Sequence, residues 1–220
     1  MTEQEFLARI AAKRGRPVLT TPPPRPGHVR SKPVPPANMS GREAMADWFA
    51  REVAKLTGTV DIVTGLEAAG QAAAAHIART CARGDVIFWD DPIALSARAG
   101  VEAEGFTAHV WPQDRMRCAG AVAGVTTALL GVAETGSIAL NASPRNGRIV
   151  SLLPPLHVAI LPTSRLVATV GDYFKAVATL GSLPAALNLV TGPSRTADIE
   201  LELSIGVHGP ASLHVVLYHD

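Results

Sequence analysis

The feature that most constrains the fold of this chain is an alternation of strand-like and helix-like segments after residue 40. Short β-branched or apolar runs predict strands at residues 59–63, 85–89, 107–111, 119–126, 137–141, 157–161, 187–190 and 212–218. Helical patterns lie among them at residues 40–56, 66–81, 91–99 and 170–180. Parallel strands need crossover connections, which are usually right-handed and helical. The pattern therefore predicts an α/β fold with three layers, in which helices cover a doubly wound, mostly parallel sheet.

The segment before residue 40 has a different character. Residues 2–14 have helical spacing, and Thr2 with Glu5 forms a capping-box pattern. From position 17 to position 36, eight residues are proline, which excludes a helix or a central strand there. We therefore predict an N-terminal helix with a proline-rich arm at residues 1–39 and a folded domain at residues 40–220.

Charge is divided unevenly between these two parts. Counting Lys and Arg against Asp and Glu, residues 1–40 carry +5 and residues 41–220 carry −4. An acidic body with 5% aromatic residues argues against nucleic-acid binding. The basic arm fits a solvated tail better than a nucleic-acid contact, and docking to an acidic partner surface stays open.

Cysteine usage and hydropathy limit cofactors and location. Cys81 and Cys118 are the only cysteines and form no CxxC pair, so neither an iron–sulfur cluster nor a zinc site is expected in this chain alone. No apolar stretch reaches about 18 residues, so no membrane span is predicted. Two unpaired thiols and an N-terminus without an apolar signal segment predict a cytoplasmic protein.

In doubly wound sheets, ligands bind beyond the carboxyl ends of the strands, so the loops there are the first candidates. The first motif, GVTTALLGVAETGS at residues 124–137, is predicted to leave a buried strand through a short helical piece. Glu134 is the only acid between Asp114 and Asp172. Such a carboxylate can act as an acid, a base or a nucleophile. The alternative, a carboxylate that caps backbone amides at a helix end, is slightly favoured by the residues alone.

Two further motifs offer anion-binding groups. In SPRNGR at residues 143–148, Arg145 and Arg148 flank an Asn-Gly turn, a pattern that suits a carboxylate or phosphate; for Arg145 a solvated role is preferred. In TGPSRTADIE at residues 191–200, Ser194 and Arg195 stand at a predicted helix start, where backbone amides bind anions. The strict alternation of apolar and polar residues at 199–205 favours a strand instead.

Two histidines are also candidates. In GVHGP at residues 206–210, glycines flank His208 and make it the best general acid/base histidine of the chain, against the alternative of a plain turn. His157 opens an apolar strand, where a histidine is more often a satisfied core residue. The histidines near the C-terminus have no zinc-binding spacing, and we predict no metal site.

Taken in order, the segments GVTTALLGVAETGS, SLLPPLHVAI, GPSRTADIE and GVHGP resemble the LUD-domain family of lactate-utilisation proteins, of the protein C type that lacks iron–sulfur motifs. The resemblance covers roughly residues 40–218. It implies a NagB/RpiA/CoA-transferase-like fold and a role in oxidising lactate to pyruvate together with two sibling proteins. Because one sibling carries iron–sulfur motifs and this chain has none, the clusters are expected in the partner subunits.

Three functions stay open on these grounds. The first is a non-redox component of an L-lactate oxidation system that binds a small carboxylate or phosphate-bearing ligand. The second is a self-contained acyl/CoA-transferase-like or isomerase-like enzyme, with Glu134 as nucleophile in the transferase. The third is an interaction module without a ligand site.

The candidate catalytic residues are Glu134 and His208. The candidate ligand-binding residues are Thr126, Thr135, Gly136, Arg148, His157, Gly192, Ser194, Arg195 and Asp198. We expect Glu134, Ser194 and His208 to share one cleft at the carboxyl edge of the sheet, with Arg148 and His157 at its rim. His208 reaches that edge only if the final strand runs antiparallel.

Overall fold

A computed structural model of the protein describes residues 2–15, 41–182, 184–197, 203–205 and 209–220. The helices are α1 (Glu3–Arg14), α2 (Arg42–Lys55), α3 (Leu66–Thr80), α4 (Pro92–Leu95), α5 (Arg98–Ala103), α6 (Arg115–Gly120) and α7 (Val170–Ala178). The strands are β1 (Thr59–Thr64), β2 (Asp85–Phe88), β3 (Thr107–Val110), β4 (Ala123–Thr127), β5 (Leu130–Val132), β6 (Ser137–Asn141), β7 (Leu156–Pro162), β8 (Leu166–Val167), β9 (Leu187–Val190), β10 (Arg195–Ala197), β11 (Leu203–Ile205) and β12 (Ser212–His219).

Contacts divide the chain into two compact units, residues 1–32 and 33–220. The first contains α1, whose capping box is formed as predicted. The Thr2 hydroxyl accepts the Glu5 N–H at 3.3 Å, and the Glu5 carboxylate accepts the Thr2 N–H at 2.7 Å. The proposed boundary at residue 40 lies outside the described residues and stays a prediction.

The second unit is built on a six-stranded sheet in the order β1-β12-β7-β4-β2-β3, in which every neighbouring pair is parallel. Helices flank this sheet, and the α/β prediction is confirmed. The core is mostly aliphatic, and the central strands β4 and β7 are buried along their whole length. Among the described residues, no helix is long and apolar enough to cross a bilayer.

A second sheet, in the order β8-β5-β6-β9, was not anticipated as a separate layer. Its strand β5 replaces the short helical piece predicted after β4. The Leu129 N–H donates to Ala139 O at 2.8 Å, which starts the β5–β6 hairpin directly after β4. Glu134 therefore lies in a hairpin turn of the second sheet and not at the end of a helix.

Several predicted element bounds are also corrected. The start of the strand predicted at residues 119–126 is helix α6, where the Asp114 carboxylate accepts the Arg117 N–H at 2.8 Å. The helix predicted at residues 91–99 is divided into α4 and α5, with Asp91 capping the first. Helix α2 begins after Gly41, and Ser40, its predicted cap, lies outside the described residues.

The helix start predicted for the third motif is wrong. Residues Arg195–Ala197 form β10, which pairs antiparallel with β11. The alternation of apolar and polar residues at 199–205 was the better signal, because successive side chains of a strand point to opposite faces of the sheet. The anion site expected at a helix N-terminus is therefore absent from this described segment. Asp198 lies outside the described residues.

The expected position of the shared cleft is also corrected. Strand β12 runs parallel to β1 and β7, so the residues just before it, Gly209 and Pro210, lie at the amino-terminal edge of the sheet. Ser194 lies there too, because its N–H donates to Pro210 O at 2.9 Å. The prediction failed because β9, which leads to Ser194, belongs to the second sheet. His208 itself lies outside the described residues.

Candidate functional site

The β5–β6 turn, residues 133–136, holds Glu134 against the rest of the fold. The Glu134 N–H donates to Ala168 O at 3.0 Å. Gly136 has a φ of 61°, and a Cβ atom there would lie 2.6 Å from the backbone nitrogen of Val53 in α2. Only glycine combines this left-handed conformation with so close an approach. The Thr-Gly part of the motif is thus explained by the packing of the turn on α2.

The carboxylate of Glu134 has an unusual environment. The residue is half-buried, yet its Oε2 atom is fully buried and has no hydrogen-bond partner among the described residues. Buried polar atoms in folded proteins are nearly always paired, because an unpaired one loses its hydration without compensation. Because its lone pairs are free, Oε2 can accept a hydrogen bond from a ligand hydroxyl, or it can itself act as a nucleophile.

A chain of hydroxyl groups leads from this turn to the surface. Thr135 Oγ1 and Ser137 Oγ are 2.7 Å apart, and Ser137 Oγ and Thr191 Oγ1 are also 2.7 Å apart. Ser137 is buried and Thr191 is exposed. The next residue, Gly192, has a φ of 80° and packs on Leu56 at the end of α2.

The last two motifs touch each other. A Cβ atom on Gly209 would lie 3.1 Å from Ser194 Cβ and 3.4 Å from Ser194 Oγ. The backbone hydrogen bond from Ser194 N–H to Pro210 O lies beside this contact. We name Glu134, Thr135, Gly136, Thr191, Gly192 and Ser194 the motif cluster. Its turns meet at the C-terminal end of α2, and a common cleft with His208 stays a prediction.

Thr126 and His157 lie on the main six-stranded sheet and not in the turns of the motif cluster. They are on the adjacent strands β4 and β7, and Thr126 Oγ1 is hydrogen-bonded to His157 Nε2 at 2.8 Å. His157 is only 1% exposed, so it is in the interior and not at a rim. Its Nδ1 atom is buried without a partner in the described structure. Burial lowers the pKa of His157 to about 4, which keeps the imidazole neutral at pH 7.

The two arginines of the second motif are at the surface. Arg148 is exposed and begins a 3-10 helix, Arg148–Ser151. Arg145 Nε donates to Asp90 Oδ2 at 2.8 Å in a solvated ion pair, as preferred from the sequence. Their loop is anchored by Trp89, whose indole N–H donates to Gly147 O at 2.9 Å. The Arg195 side chain lies outside the described part.

A second polar region, on the other side of α2, was missed by the sequence motifs. It lies between α2 and α3, beside the edge strand β1, in an open cleft of about 590 Å³. We name it the imidazole cleft and define it by Arg51, Thr59, Asp61, His76, Arg79 and His214. The rings of His76 and His214 are stacked, with centroids 3.6 Å apart and planes 8° from parallel.

Hydrogen bonds fix the two stacked imidazoles. His214 Nδ1 is bonded to Thr59 Oγ1 at 2.8 Å, and His76 Nδ1 lies 3.4 Å from a guanidinium nitrogen of Arg79. Because a guanidinium only donates, His76 Nδ1 is the acceptor and the neutral ring carries its proton on Nε2.

Both imidazoles are held neutral. Burial, aided by His76 and Arg79, lowers the pKa of His214 to about 3. Burial and the charge of Arg79 lower the pKa of His76, and Asp61 opposes them. His214 Nε2 and Asp61 Oδ2 are 3.5 Å apart, but with a neutral ring this contact is not an ion pair.

Comparison with known proteins assigns the fold and its motifs to a family. The LUD domain sequence profile matches residues 34–218, which include the motif cluster and the imidazole cleft. The chain belongs to the LUD domain family.

Three relatives of this LUD domain have the same name. Lactate utilization protein C of an Exiguobacterium species is 31% identical, with the alignment covering 99% of this chain and 96% of the relative. Lactate utilization protein C of Macrococcus caseolyticus is 34% identical over 62% of each chain. The same-named protein of Bacillus subtilis is 35% identical over 54% of this chain and 53% of its own length.

A solved structure resembles this LUD domain in fold. The crystal structure of a DUF162 family protein from Deinococcus radiodurans superposes with a TM-score of 0.58 over 81% of this chain and 99% of that one. The two sequences are 21% identical, so the likeness supports the architecture alone.

The residues of the imidazole cleft had only faint signals in the sequence of the LUD domain. Asp61 interrupts the apolar strand TVDIV, and His76 interrupts an alanine-rich helix. A polar residue inside such an apolar segment indicates a buried partner or a site. His214 was considered only for zinc spacing, and its place beside His76 depends on the pairing of β12 with β1.

Proposed function

We propose that this LUD domain protein is a non-redox component of an L-lactate oxidation system. The observation that carries the proposal is the alignment with the Exiguobacterium Lactate utilization protein C, which spans nearly the whole of both chains. A shared domain alone would be weaker support, because one fold serves many functions.

In this proposal, partner subunits carry the electrons. Iron–sulfur clusters are usually held by four cysteine thiolates, and this chain has only Cys81 and Cys118. We therefore assign the clusters to sibling proteins that assemble with this chain in the cytoplasm, where free thiols such as these two remain reduced.

The motif cluster is the proposed site of a small carboxylate or phosphate-bearing ligand. The unpaired Oε2 of Glu134 accepts a hydrogen bond from a ligand hydroxyl. The hydroxyl chain through Thr135 and Thr191 and the backbone beside Ser194 supply donors for the anionic group. These groups bind and orient the ligand, while oxidation takes place at the partners.

Reconstitution tests this proposal. The native partners are co-purified with the chain, and lactate-dependent dye reduction is measured with and without it. We expect the chain to raise the rate and Glu134→Gln to remove most of the increase. Glu104→Gln, at an exposed glutamate after α5, is the matched control and is expected to behave as wild type. Equal rates with and without the chain would reject the proposal.

The unpaired Oε2 atom of Glu134 also favours a second function. A buried carboxylate with a free lone pair is suited to attack an acyl thioester. Glu134 Oε2 would bond to the acyl carbon, the carbon–sulfur bond would break, and coenzyme A would leave as the thiolate. Incubation of the isolated chain with acetyl-CoA then gives an acyl-enzyme that hydroxylamine cleaves. If the chain remains unmodified by mass spectrometry, it is not a transferase of this kind.

A further inference from the structure

The imidazole cleft is separated from the motif cluster by α2. The cleft is lined by Ala50, Arg51 and Ala54 of this helix, whereas the motif glycines pack on Val53 and Leu56. With about 3.6 residues per turn, these two sets face directions roughly 140° apart. A ligand in the cleft would therefore not contact the motif cluster, and the two sites can be tested independently.

The charge of the cleft matches a monoanion. Arg51 and Arg79 line it, and neither has an ion-pair partner within the described residues. Asp61 is the one carboxylate in its lining, and both imidazoles are neutral at pH 7. Two guanidiniums and one carboxylate leave one positive charge for the ligand to neutralise. Guanidiniums are well suited to a carboxylate, because they offer parallel donors.

Asp61 adds a requirement for a hydrogen-bond donor on the ligand. Its side chain lines the cleft and is 41% exposed, and its Oδ2 atom is 3.5 Å from His214 Nε2. That nitrogen is buried and has no hydrogen-bond partner in the described structure, so the Asp61 carboxylate keeps its acceptor capacity for a ligand. A carboxylate that lines the same cleft as two arginines and is still free to accept selects a ligand hydroxyl.

An apolar space adjoins the cleft. A second cavity of about 430 Å³ shares Thr59 and His76 with it and is otherwise lined mainly by apolar atoms, including those of Val122 and Leu156. An apolar substituent of the ligand can extend past His76 into this cavity. Binding pockets in proteins commonly combine an apolar lining with a few directing polar groups.

We propose that the imidazole cleft binds a 2-hydroxy monocarboxylate with an apolar side chain. The carboxylate lies between Arg51 and Arg79, the hydroxyl donates to Asp61, and the side chain extends past His76. This assignment does not depend on the role proposed for the motif cluster, since it rests on residues on the other side of α2.

Calorimetric titration of the full chain with 2-hydroxyisocaproate tests the proposal. A hydrogen bond to a charged group contributes about 1.5–3 kcal/mol, so Arg79→Met and Arg51→Met are each expected to weaken binding at least about tenfold. Arg115→Met, at an exposed arginine of α6, is the matched control and is expected to bind as wild type. Unchanged thermal unfolding of each variant shows that the fold is kept.

The hydroxyl is tested with 4-methylpentanoate, which differs from the probe only in lacking it. Wild type is expected to prefer the hydroxy acid about tenfold or more. Asp61→Asn is expected to bind 4-methylpentanoate more tightly than wild type does, because a repulsive charge is removed, and to show a smaller preference. A preserved preference in Asp61→Asn would overturn the role of this residue.

Other outcomes overturn the whole assignment. They are no saturable binding of the hydroxy acid to wild type, undiminished binding to the double variant Arg51→Met/Arg79→Met, or tighter binding of inorganic phosphate than of the hydroxy acid. If Glu134→Gln lost binding and Arg79→Met bound as wild type, the ligand would have to be assigned to the motif cluster instead of the imidazole cleft. It would leave the proposed lactate function standing.

Discussion

The motif cluster and the imidazole cleft lie on different faces of α2 and are built in opposite ways. The motif cluster consists of turns whose glycines at 136 and 192 have positive φ angles and touch α2 closely. The cleft consists of single side chains on regular helices and strands, such as Asp61, His76 and His214. The comparison shows that a prominent sequence motif can arise from an unusual backbone conformation with close packing, whereas polar side chains able to bind a ligand can lie in segments that have no motif.

The largest expected effect concerns the buried histidines, His157 in the interior and His214 at the cleft. The pKa of each is lowered in the folded state, to about 4 and about 3, from an ordinary value near 6.5. Above pH 6.5 neither state binds the proton. As the pH falls below 6.5 only the unfolded state does, so stability is lost progressively.

At 1.36 kcal/mol per pH unit, each histidine is expected to lower the unfolding free energy by about 2–3 kcal/mol between pH 6.5 and pH 4.5. Urea titrations at both pH values measure this loss. His157→Gln and His214→Gln should each flatten the pH dependence by about half. Equal unfolding free energies of the wild type at the two pH values would contradict both assignments.

The next effect separates the two kinds of glycine. Gly136→Ala combines a positive φ angle with a Cβ atom 2.6 Å from α2 backbone, and is expected to cost about 2–4 kcal/mol. Gly65 has a φ of 84° and a ψ of 154°, a conformation that only glycine adopts readily, but no atom lies within 4 Å of the Cβ that Gly65→Ala would add, so only the conformational cost of about 1–3 kcal/mol applies. Equal losses in chemical denaturation would show that close packing on α2 is not what the motif requires.

The same contrast explains how much the sequence could predict. The strands of the main sheet were found within a few residues, because buried apolar runs and the helices between them give long, periodic signals. Strands β5 and β8 were missed because two or three residues are too few for a period. The cleft was missed because it depends on β12 lying beside β1, a long-range pairing that local patterns do not reveal.

A smaller effect compares two threonine–histidine hydrogen bonds of equal length. Thr126 Oγ1 to His157 and Thr59 Oγ1 to His214 both measure 2.8 Å. Thr126 is fully buried and Thr59 is exposed, so water can replace only the second hydroxyl. Thr126→Val is expected to cost about 1–3 kcal/mol and Thr59→Val less than about 1 kcal/mol, by urea unfolding. The reverse order would mean that the cleft is the drier region.

The smallest effect is expected at the surface of the cleft. Arg51→Met replaces an exposed side chain that has no ion pair among the described residues, so the unfolding free energy should stay within about 0.5 kcal/mol of wild type. Thermal unfolding checks this directly. A large loss of unfolding free energy would show that Arg51 supports the fold. The contrast between a motif cluster that is structural and a cleft whose lining can be replaced would then fail.

The most direct test of the lactate role is growth of the native host after deletion of this chain. The account predicts that the deletion strain fails to grow on L-lactate as sole carbon source, grows normally on pyruvate, and recovers on lactate when the wild-type chain is supplied. Undiminished growth on lactate, or an equal defect on pyruvate, would contradict it.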